Sequence, residues 1–253
     1  MTVWFVGAGP GDPELLTRKA EKLLAVCRIC IWAGSLVHPA ILDFLPGECI
    51  RYDSAEMSLD QIINVIREAH DKNIDVVRLH TGEPSIFGAI GEQMARLDTL
   101  GIDYETVPGI SSFQAAAAAL KTELTMPEVS QTVILTRTGG RTPMPEKESL
   151  ANITAAGGTV CVFLSVDKTE ETAQAFAGAL GRDCPAAVVY HASWPDQKII
   201  RGTLDTIGAQ VRAAGLKRTG IIIIGRALGE KNTESRLYSP EFTHGYRTGQ
   251  KHT

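Results

Sequence analysis

Residues 3–17 read VWFVGAGPGDPELLT, an apolar run that enters a glycine-rich turn and continues into a polar stretch. This layout is typical of the first strand–turn–helix unit of an α/β protein with a parallel sheet. Dinucleotide-binding proteins share it, because their G-x-G-x-x-G turn places a pyrophosphate at the helix N-terminus. The details of the turn therefore decide which kind of α/β protein this is.

The turn departs from the dinucleotide pattern at its third glycine. Its spacing from Gly7 is G-x-G-x-G, and Asp12 stands where the last glycine is needed. A carboxylate there repels a phosphate, and Pro10 and Pro13 lack the N–H donors of an anion cradle. Asp12 followed by Pro13 is instead typical of a helix N-cap with proline at the first helical position. We therefore predict a capped strand-to-helix turn.

The first half of the chain alternates short apolar runs with amphipathic stretches. Strands are predicted at VWFVG, ICIW, DVVRL and DYETV, and helices at residues 13–25, LDQIINVIREAHDK, IGEQMARLDTL and SSFQAAAAAL. This alternation predicts right-handed crossovers and a mostly parallel sheet. We predict a first α/β domain over residues 1–120, followed by a polar linker at 121–131.

The second half has a different rhythm. Strands are predicted at TVILT, GTVCVFLSV, AAVVYHA, QKIIRGTL and GIIIIG, with helices after DKTEE and over Asp205–Ala214. Only SWPD separates AAVVYHA from QKIIRGTL, so these two strands are expected to pair antiparallel. We predict a second α/β domain with a mixed sheet over residues 132–229, and a C-terminal extension over 230–253.

The composition narrows the class of partner and compartment. The net charge of −4 disfavours a nucleic-acid protein, which usually presents a basic face. The longest aliphatic run, IIII at 221–224, is too short to span a bilayer. A strand pattern begins at Val3 without a cationic or long apolar segment before it, so we expect no signal peptide. Among the five cysteines, Cys27 and Cys30 form a C-x-x-C. A zinc site would need a second such pair or a pair of nearby histidines, and the sequence has neither, so we expect these cysteines to pack in the core. We expect a cytoplasmic protein without a metal site, a nucleic-acid partner or a membrane partner.

Three strand-to-helix turns are the candidate site. They are GAGPGDP, HTGEPSIFG and PGISS, which follow the first, third and fourth predicted strands. The carboxyl ends of parallel strands share one edge of the sheet, where ligands of α/β proteins bind. Glu83 has no capping role to explain it, so we expect it to act through charge or hydrogen bonding. Ser111 and Ser112 either cap the following helix or face the site.

These turns, taken with IIRGTL and IIIIG in order and at matching spacings, make the chain resemble the tetrapyrrole methylases. The resemblance runs nearly end to end and is closest to the precorrin methylases of cobalamin biosynthesis, through WAGSLV at 32–37 and SRLYSPEFTHGYR at 235–247. It implies two α/β domains of the class III methyltransferase type, with S-adenosylmethionine in the cleft between them and S-adenosylhomocysteine as product. It also implies a tetrapyrrole substrate and a homodimer.

The resemblance assigns cofactor-binding positions residue by residue. In the predicted first domain they are Pro10, Thr81, Gly82, Glu83, Ile86, Ser111 and Ser112; in the second they are Leu164, Ala192 and Gly220. Two departures matter: Glu83 stands where many relatives have aspartate, and WAGSLV lacks the acid of the uroporphyrinogen methylases. No catalytic base is assigned. Four arginines near predicted strand ends, Arg51, Arg78, Arg137 and Arg141, are candidates for the substrate carboxylates.

Alternatives remain open at this point. Another methylase of the same family is one, whether a precorrin or uroporphyrinogen methylase, diphthine synthase or an rRNA methylase. A nicotinamide-dependent oxidoreductase or a non-catalytic tetrapyrrole-binding protein is the other.

Overall fold

The protein folds into two compact units, each built on one sheet. The computed structural model describes residues 1–140, 142–153, 157–229 and 235–250. Unit 1 comprises Met1–Ala119 together with His191–Lys198, and unit 2 comprises Leu120–Tyr190 and Ile199–Thr253. The two domains predicted from the sequence are continuous ranges, and their boundaries stay a prediction. In the structure, the short segment His191–Lys198 belongs by its contacts to unit 1.

The elements of unit 1 alternate as the sequence predicts. In chain order they are β1 (Val3–Gly7), α1 (Arg18–Ala25), β2 (Ile29–Trp32), β3 (Ile50–Asp53), α2 (Leu59–Asp71), β4 (Val76–His80), α3 (Ile90–Leu100), β5 (Tyr104–Val107) and α4 (Ser112–Leu120). The strands are ordered β3-β2-β4-β1-β5, and every pair is parallel. In register, Gly7 lies opposite His80 and Val6 opposite Val107, so β1, β4 and β5 end at one level.

Alternate residues of each strand of unit 1 point to opposite faces and form two cores. Val6, Leu24 and Leu79 belong to one core, whereas Phe5 and Ile66 belong to the other. Because both faces are covered, the central strands are buried along their length, which is typical of a parallel sheet.

Two predictions for unit 1 were wrong in detail. β3 was missed, because this edge strand leaves Ile50 and Arg51 exposed and so lacks an apolar run. The predicted helix over 13–25 is two pieces, a 3₁₀ turn at Pro13–Leu15 and α1, which Thr17 caps separately. Asp12 does act as an N-cap, but of the short turn.

Unit 2 contains β6 (Val133–Arg137), α5 (Leu150–Ile153), β7 (Thr159–Phe163), α6 (Thr169–Leu180), β8 (Pro185–Tyr190), β9 (Lys198–Thr203), α7 (Ile207–Ala213) and β10 (Gly220–Ile224). Its strands are ordered β6-β7-β10-β8-β9. β6 and β7 are parallel, and β10 is antiparallel to both β7 and β8. The predicted mixed sheet is confirmed, and β8 and β9 are neighbours as expected.

The C-terminal extension adds little regular structure where it is described. A 3₁₀ turn spans Arg236–Tyr238, and Arg247 donates hydrogen bonds to the carbonyl oxygens of Leu237 and Ser239, each at 2.7 Å. Residues 230–234 and 251–253 of the predicted extension lie outside the described residues. Among the residues that are described, no helix has the length and apolar character needed to cross a bilayer.

Candidate active site

The three predicted turns meet at the carboxyl edge of the unit 1 sheet. Gly9 and Gly82 exchange backbone hydrogen bonds, with the Gly82 nitrogen 2.8 Å from the Gly9 oxygen. The turn after β5 joins them, because a Cβ built on Gly82 would lie 3.7 Å from the Ser111 Cα. The sequence-based expectation that these turns share one edge is therefore confirmed.

Glycine is required where the turns cross. A Cβ on Gly7 would lie 2.6 Å from both the Gly109 nitrogen and the Gly82 oxygen, and one on Gly109 would lie 2.1 Å from that oxygen. Such distances are far below van der Waals contact, so any side chain there would push the backbones apart. Gly82 also has a positive φ of 60°, which favours glycine.

Glu83 ties two of the turns together through its carboxylate. Its Oε1 accepts a hydrogen bond from the Ser85 nitrogen at 2.9 Å, and its Oε2 accepts one from the Gly109 nitrogen at 2.8 Å. Burial raises the pKa of Glu83, but these hydrogen bonds lower it by more, so the net pKa lies below its ordinary value. The expectation of a hydrogen-bonding role is confirmed, and the partners are backbone amides.

A segment distant in sequence completes this edge. We call His191–Lys198 the strap. The Trp194 Nε1 donates to the Pro10 oxygen at 2.8 Å, and the Ser193 Oγ accepts from the Asp12 nitrogen at 3.0 Å. Ala192, which the resemblance assigned to the second domain, is a buried residue of the strap and thus belongs to unit 1.

The remaining assigned residues of unit 1 lie in the same turns. Thr81 and Ile86 are half-buried on either side of Glu83. Ser111 is buried, and its nitrogen donates to the Gln114 Oε1 at 2.9 Å, which is one half of a capping box at the start of α4. Ser112 is the first residue of α4.

Two assigned residues belong to unit 2. Leu164 follows β7 and is 66% exposed. Gly220 begins β10 opposite Tyr190, and a Cβ there would lie 2.9 Å from the Val166 Cγ2.

Strained backbone accompanies several of these positions. The φ angles of Leu164 (53°), Phe87 (54°), Ala89 (50°), His191 (47°) and Ser193 (71°) are all positive, although none of these residues is glycine. A positive φ costs a bulky residue free energy and persists where the surroundings impose it, and such residues cluster at functional sites. Phe87 and Ala89 lie in the turn after β4, and His191 and Ser193 lie in the strap.

The four candidate arginines differ in burial and in hydrogen-bond partners. Arg78 is buried and donates to the Gln93 Oε1 and to the carbonyls of Ile31 and Leu79, so it serves the interior and not a substrate. Arg137 donates to the carbonyls of residues 138, 142 and 143 and so braces its own loop. Arg51 is exposed on β3, and Arg141 lies outside the described residues.

A buried histidine precedes the Thr81–Gly82–Glu83 tripeptide. His80 is 4% exposed, and its Nε2 has no hydrogen-bond partner among the described residues. Burial and then the charge of Arg78 lower the pKa of His80 to about 3, so it is neutral at physiological pH. Burial also lowers the pKa of Arg78 to about 10, which leaves it charged.

The sequence did not indicate Trp194 and Ser193 as parts of the site, whereas Gly109 lies in the predicted turn PGISS. From the sequence, SWPD is expected only to connect two strands. The feature that could have indicated a role is the tryptophan in this short polar loop. An indole needs both an apolar contact and an acceptor for its N–H. No residue spacing indicates that the acceptor is Pro10, 184 positions away.

The fold and the glycine-crossed edge define a class of enzyme. The family described as Tetrapyrrole (Corrin/Porphyrin) Methylases matches residues 2–208 of the chain. Because this match covers most of its length, the protein belongs to the tetrapyrrole methylase family.

Individual relatives are similar along nearly the whole chain. The cobalt-precorrin-4 C(11)-methyltransferase of Methanocaldococcus jannaschii is 48% identical over 98% of this chain and 97% of that protein. The precorrin-4 C(11)-methyltransferase of Pseudomonas aeruginosa is 45% identical over 99% of this chain and all of that protein. The X-ray structure of a cobalt precorrin-4 methyltransferase superposes with a TM-score of 0.88 at 40% identity, covering 90% of this chain and 96% of that one. The predicted fold class is thereby confirmed.

Proposed function

We propose that the protein transfers a methyl group from S-adenosylmethionine to C11 of precorrin-4, giving precorrin-5 and S-adenosylhomocysteine in cobalamin biosynthesis. The observation that carries the proposal is the 45–48% identity, over 98–99% of the chain, to proteins named for this reaction. The absence of an acid from WAGSLV, noted in the sequence, speaks against a uroporphyrinogen methylase.

The residues proposed to hold the cofactor come from the turns, the strap and two positions of unit 2. They are Pro10, Thr81, Gly82, Glu83, Ile86, Ser111, Ser112 and Ala192 of unit 1, with Leu164 and Gly220 of unit 2. They combine polar groups with apolar side chains, which suits a cofactor that joins a sulfonium cation to a polar adenosine and an amino-acid group. The first turn lacks N–H groups at Pro10 and Pro13 and carries the Asp12 carboxylate, so it offers acceptors and a negative charge.

The chain's own contribution to catalysis is orientation. S-adenosylmethionine supplies, when bound, a methyl group on a sulfonium sulfur. The glycine crossing of Gly7, Gly82 and Gly109 lets the three turns pack backbone against backbone, and Glu83 fixes two of the turns against each other. A rigid edge of this kind holds two reactants at attack distance, an effect that is worth roughly 7–11 kcal/mol in well-oriented systems.

Glu83 is proposed to act on the cofactor site through the backbone. Both of its carboxylate oxygens already accept hydrogen bonds from amides, so its charge is committed to the turns. Where many relatives have aspartate, this chain has the longer glutamate. We propose that this difference changes the spacing between the turns and leaves any direct contact with the ligand unchanged.

Of the candidate arginines that the structure describes, we propose Arg51 as the one that binds a substrate carboxylate, because it is exposed on the edge strand β3. If it binds the tetrapyrrole, Arg51→Glu raises the KM for precorrin-4 at least fivefold and leaves the KM for S-adenosylmethionine unchanged. Arg67→Glu on α2 is the matched control and should change neither constant. An unaltered substrate KM in Arg51→Glu removes Arg51 from the site.

Cofactor class is tested by ligand-induced stabilisation. At a concentration one hundred times its Kd, S-adenosylhomocysteine should stabilise the folded protein by about 2.7 kcal/mol, and NAD should have no effect. The reverse pattern would support the nicotinamide-dependent alternative.

Substrate class is tested by competition between tetrapyrroles. With labelled S-adenosylmethionine, precorrin-4 and cobalt-precorrin-4 should accept label, whereas uroporphyrinogen III should not. The ratio of kcat/KM for the first two compounds tells whether the metal-free or the cobalt-bearing substrate is preferred. Label on uroporphyrinogen III alone would assign the protein to another branch of the family.

Two further properties are proposed from the family resemblance. They are a homodimeric state, which light scattering of the purified protein tests, and a cytoplasmic location, which fractionation of the source cells tests.

A further inference from the structure

We infer that the strap is a positioning device for the first turn, and that Trp194 is its positioning residue. The inference deepens the proposed function and rests on it, because the first turn is proposed to border the cofactor. Trp194 acts through Pro10 and has no direct part in methyl transfer.

The first turn is held internally at its Asp12 end, where this residue accepts hydrogen bonds from the Glu14 and Leu15 nitrogens. Pro10 and Pro13 provide no N–H, and the turn bonds to the end of β4 and the turn after it through Ala8 and Gly9. Between these two anchored ends, the strap adds one hydrogen bond to Pro10, from Trp194, and one to Asp12, through Ser193.

The indole also fixes the turn by its bulk. A Cβ on Gly11 would lie 2.0 Å from the Trp194 Nε1, so the ring packs directly on the turn's backbone. The other surfaces of the indole contact two histidines. The His191 ring is stacked at 4.4 Å between centroids with an interplanar angle of 25°, and the His38 ring meets it edge-on at 4.4 Å and 74°.

The strap is itself braced, which a positioning element requires. The Trp194 nitrogen donates to the His191 oxygen at 2.9 Å, and the Gln197 side chain accepts from the Ser193 nitrogen at 2.8 Å. His191 Nδ1 lies 2.8 Å from an Asp196 oxygen, and this hydrogen bond lowers the pKa of that carboxyl. The positive φ angles of His191 and Ser193 are held by these contacts.

The consequence concerns two proposed cofactor contacts at once. Pro10 accepts from Trp194, and Ala192 lies two residues before Trp194 on the same strap. Loosening the indole therefore releases both, and the loss should appear in cofactor affinity before it appears in the rate of the chemical step or in the affinity for the tetrapyrrole.

The test compares Trp194→Phe, which keeps an aromatic ring but removes the N–H, with Trp194→Ala. The matched control is Trp4→Phe, since Trp4 is also half-buried in unit 1 and its Nε1 faces Asp75 at 3.5 Å. Kd for S-adenosylhomocysteine is measured by calorimetry, KM and kcat by methyl transfer, and amide exchange of a peptide covering residues 8–16 by mass spectrometry without ligand.

Trp194→Phe should weaken S-adenosylhomocysteine about fivefold to tenfold and raise the KM for S-adenosylmethionine similarly, while kcat and the tetrapyrrole KM change less than twofold. Trp194→Ala should weaken binding at least fiftyfold. Exchange in residues 8–16 should accelerate in both variants and not in Trp4→Phe.

Unchanged exchange and an unchanged Kd in Trp194→Phe, or equal losses in Trp4→Phe, would overturn the positioning role. That result leaves the proposed function intact as long as the wild type binds S-adenosylhomocysteine. A wild-type protein that fails to bind it would instead overturn the proposed function, and the inference with it.

Discussion

At the scale of single residues, Glu83 shows how an acid in a turn can serve as a structural acceptor. It is one side chain linking the turn after β4 to the turn after β5, through the Ser85 and Gly109 nitrogens. Sequence indicated that its role was charge or hydrogen bonding, but not with which group. The partner depends on a crossing of backbones that only the folded sheet creates.

Glu83→Gln should weaken this link. A glutamine offers one carbonyl oxygen, so one of the two amides then faces an NH₂ group, and the free energy of unfolding should fall by roughly 1–3 kcal/mol. The pKa of Glu83 is lowered by folding, so its stabilising contribution is present above the ordinary carboxyl pKa and is lost as the pH falls through the folded value. The variant should therefore lose less stability than the wild type on acidification.

Urea unfolding between pH 3 and 7 measures both effects, with the exposed Glu48→Gln as the control. Equal stability of Glu83→Gln and wild type at pH 7 would contradict the structural role given to this carboxylate.

His80 makes a separate prediction about pH. Its folded pKa of about 3 lies far below the ordinary value of about 6.5, so the unfolded chain binds a proton that the folded protein rejects. The free energy of unfolding should consequently decline as the pH falls below about 6.5, by up to about 1.4 kcal/mol per pH unit. His80→Phe removes the titration and should flatten the curve.

The window from pH 5 to 7 is the informative one, because most carboxylates are still ionised there. Parallel stability curves for wild type and His80→Phe in that window would show that the histidine is not held neutral.

At the scale of elements, sequence patterns worked best where burial is complete. β1, β2 and β10 were found because their faces are covered and their runs are continuously apolar, and β4 was found from its apolar residues although it also contains Arg78 and His80. β3 was missed because its edge position leaves half of it exposed. The break between the Pro13–Leu15 turn and α1 was missed because both pieces carry helix-start signals, Asp12 and Thr17, and spacing does not tell which one is used.

Thr17→Ala tests the second start signal. The Thr17 Oγ1 accepts from the Ala20 nitrogen at 3.2 Å, so removing it should cost about 1 kcal/mol of stability. Thr99→Ala in α3 is the control, because its hydroxyl bonds to the Ala95 oxygen within the helix and caps nothing at its start. Equal effects of the two substitutions in thermal unfolding would place the start of α1 elsewhere.

At the scale of the whole molecule, topology explains which parts of the candidate site could be predicted from the sequence and which could not. The turns of the site follow β1, β4 and β5 of one parallel sheet, so their lying at one edge could be predicted from the parallel direction of the strands. The strap could not, because its contact with Pro10 depends on how a loop between β8 and β9 returns to unit 1. The arginine predictions failed for Arg78 for a related reason, since a strand pattern does not tell which charged residue faces the interior.

The most direct measurement for the central claim is the position of the transferred methyl group. The purified protein is incubated with precorrin-4 and S-adenosylmethionine labelled with ¹³C at the methyl carbon, and the product is mapped by NMR. The account predicts one new labelled methyl, bonded to C11, with one S-adenosylhomocysteine formed per methyl transferred. A labelled methyl at any other ring position, or none with bound S-adenosylhomocysteine still detectable, would contradict it.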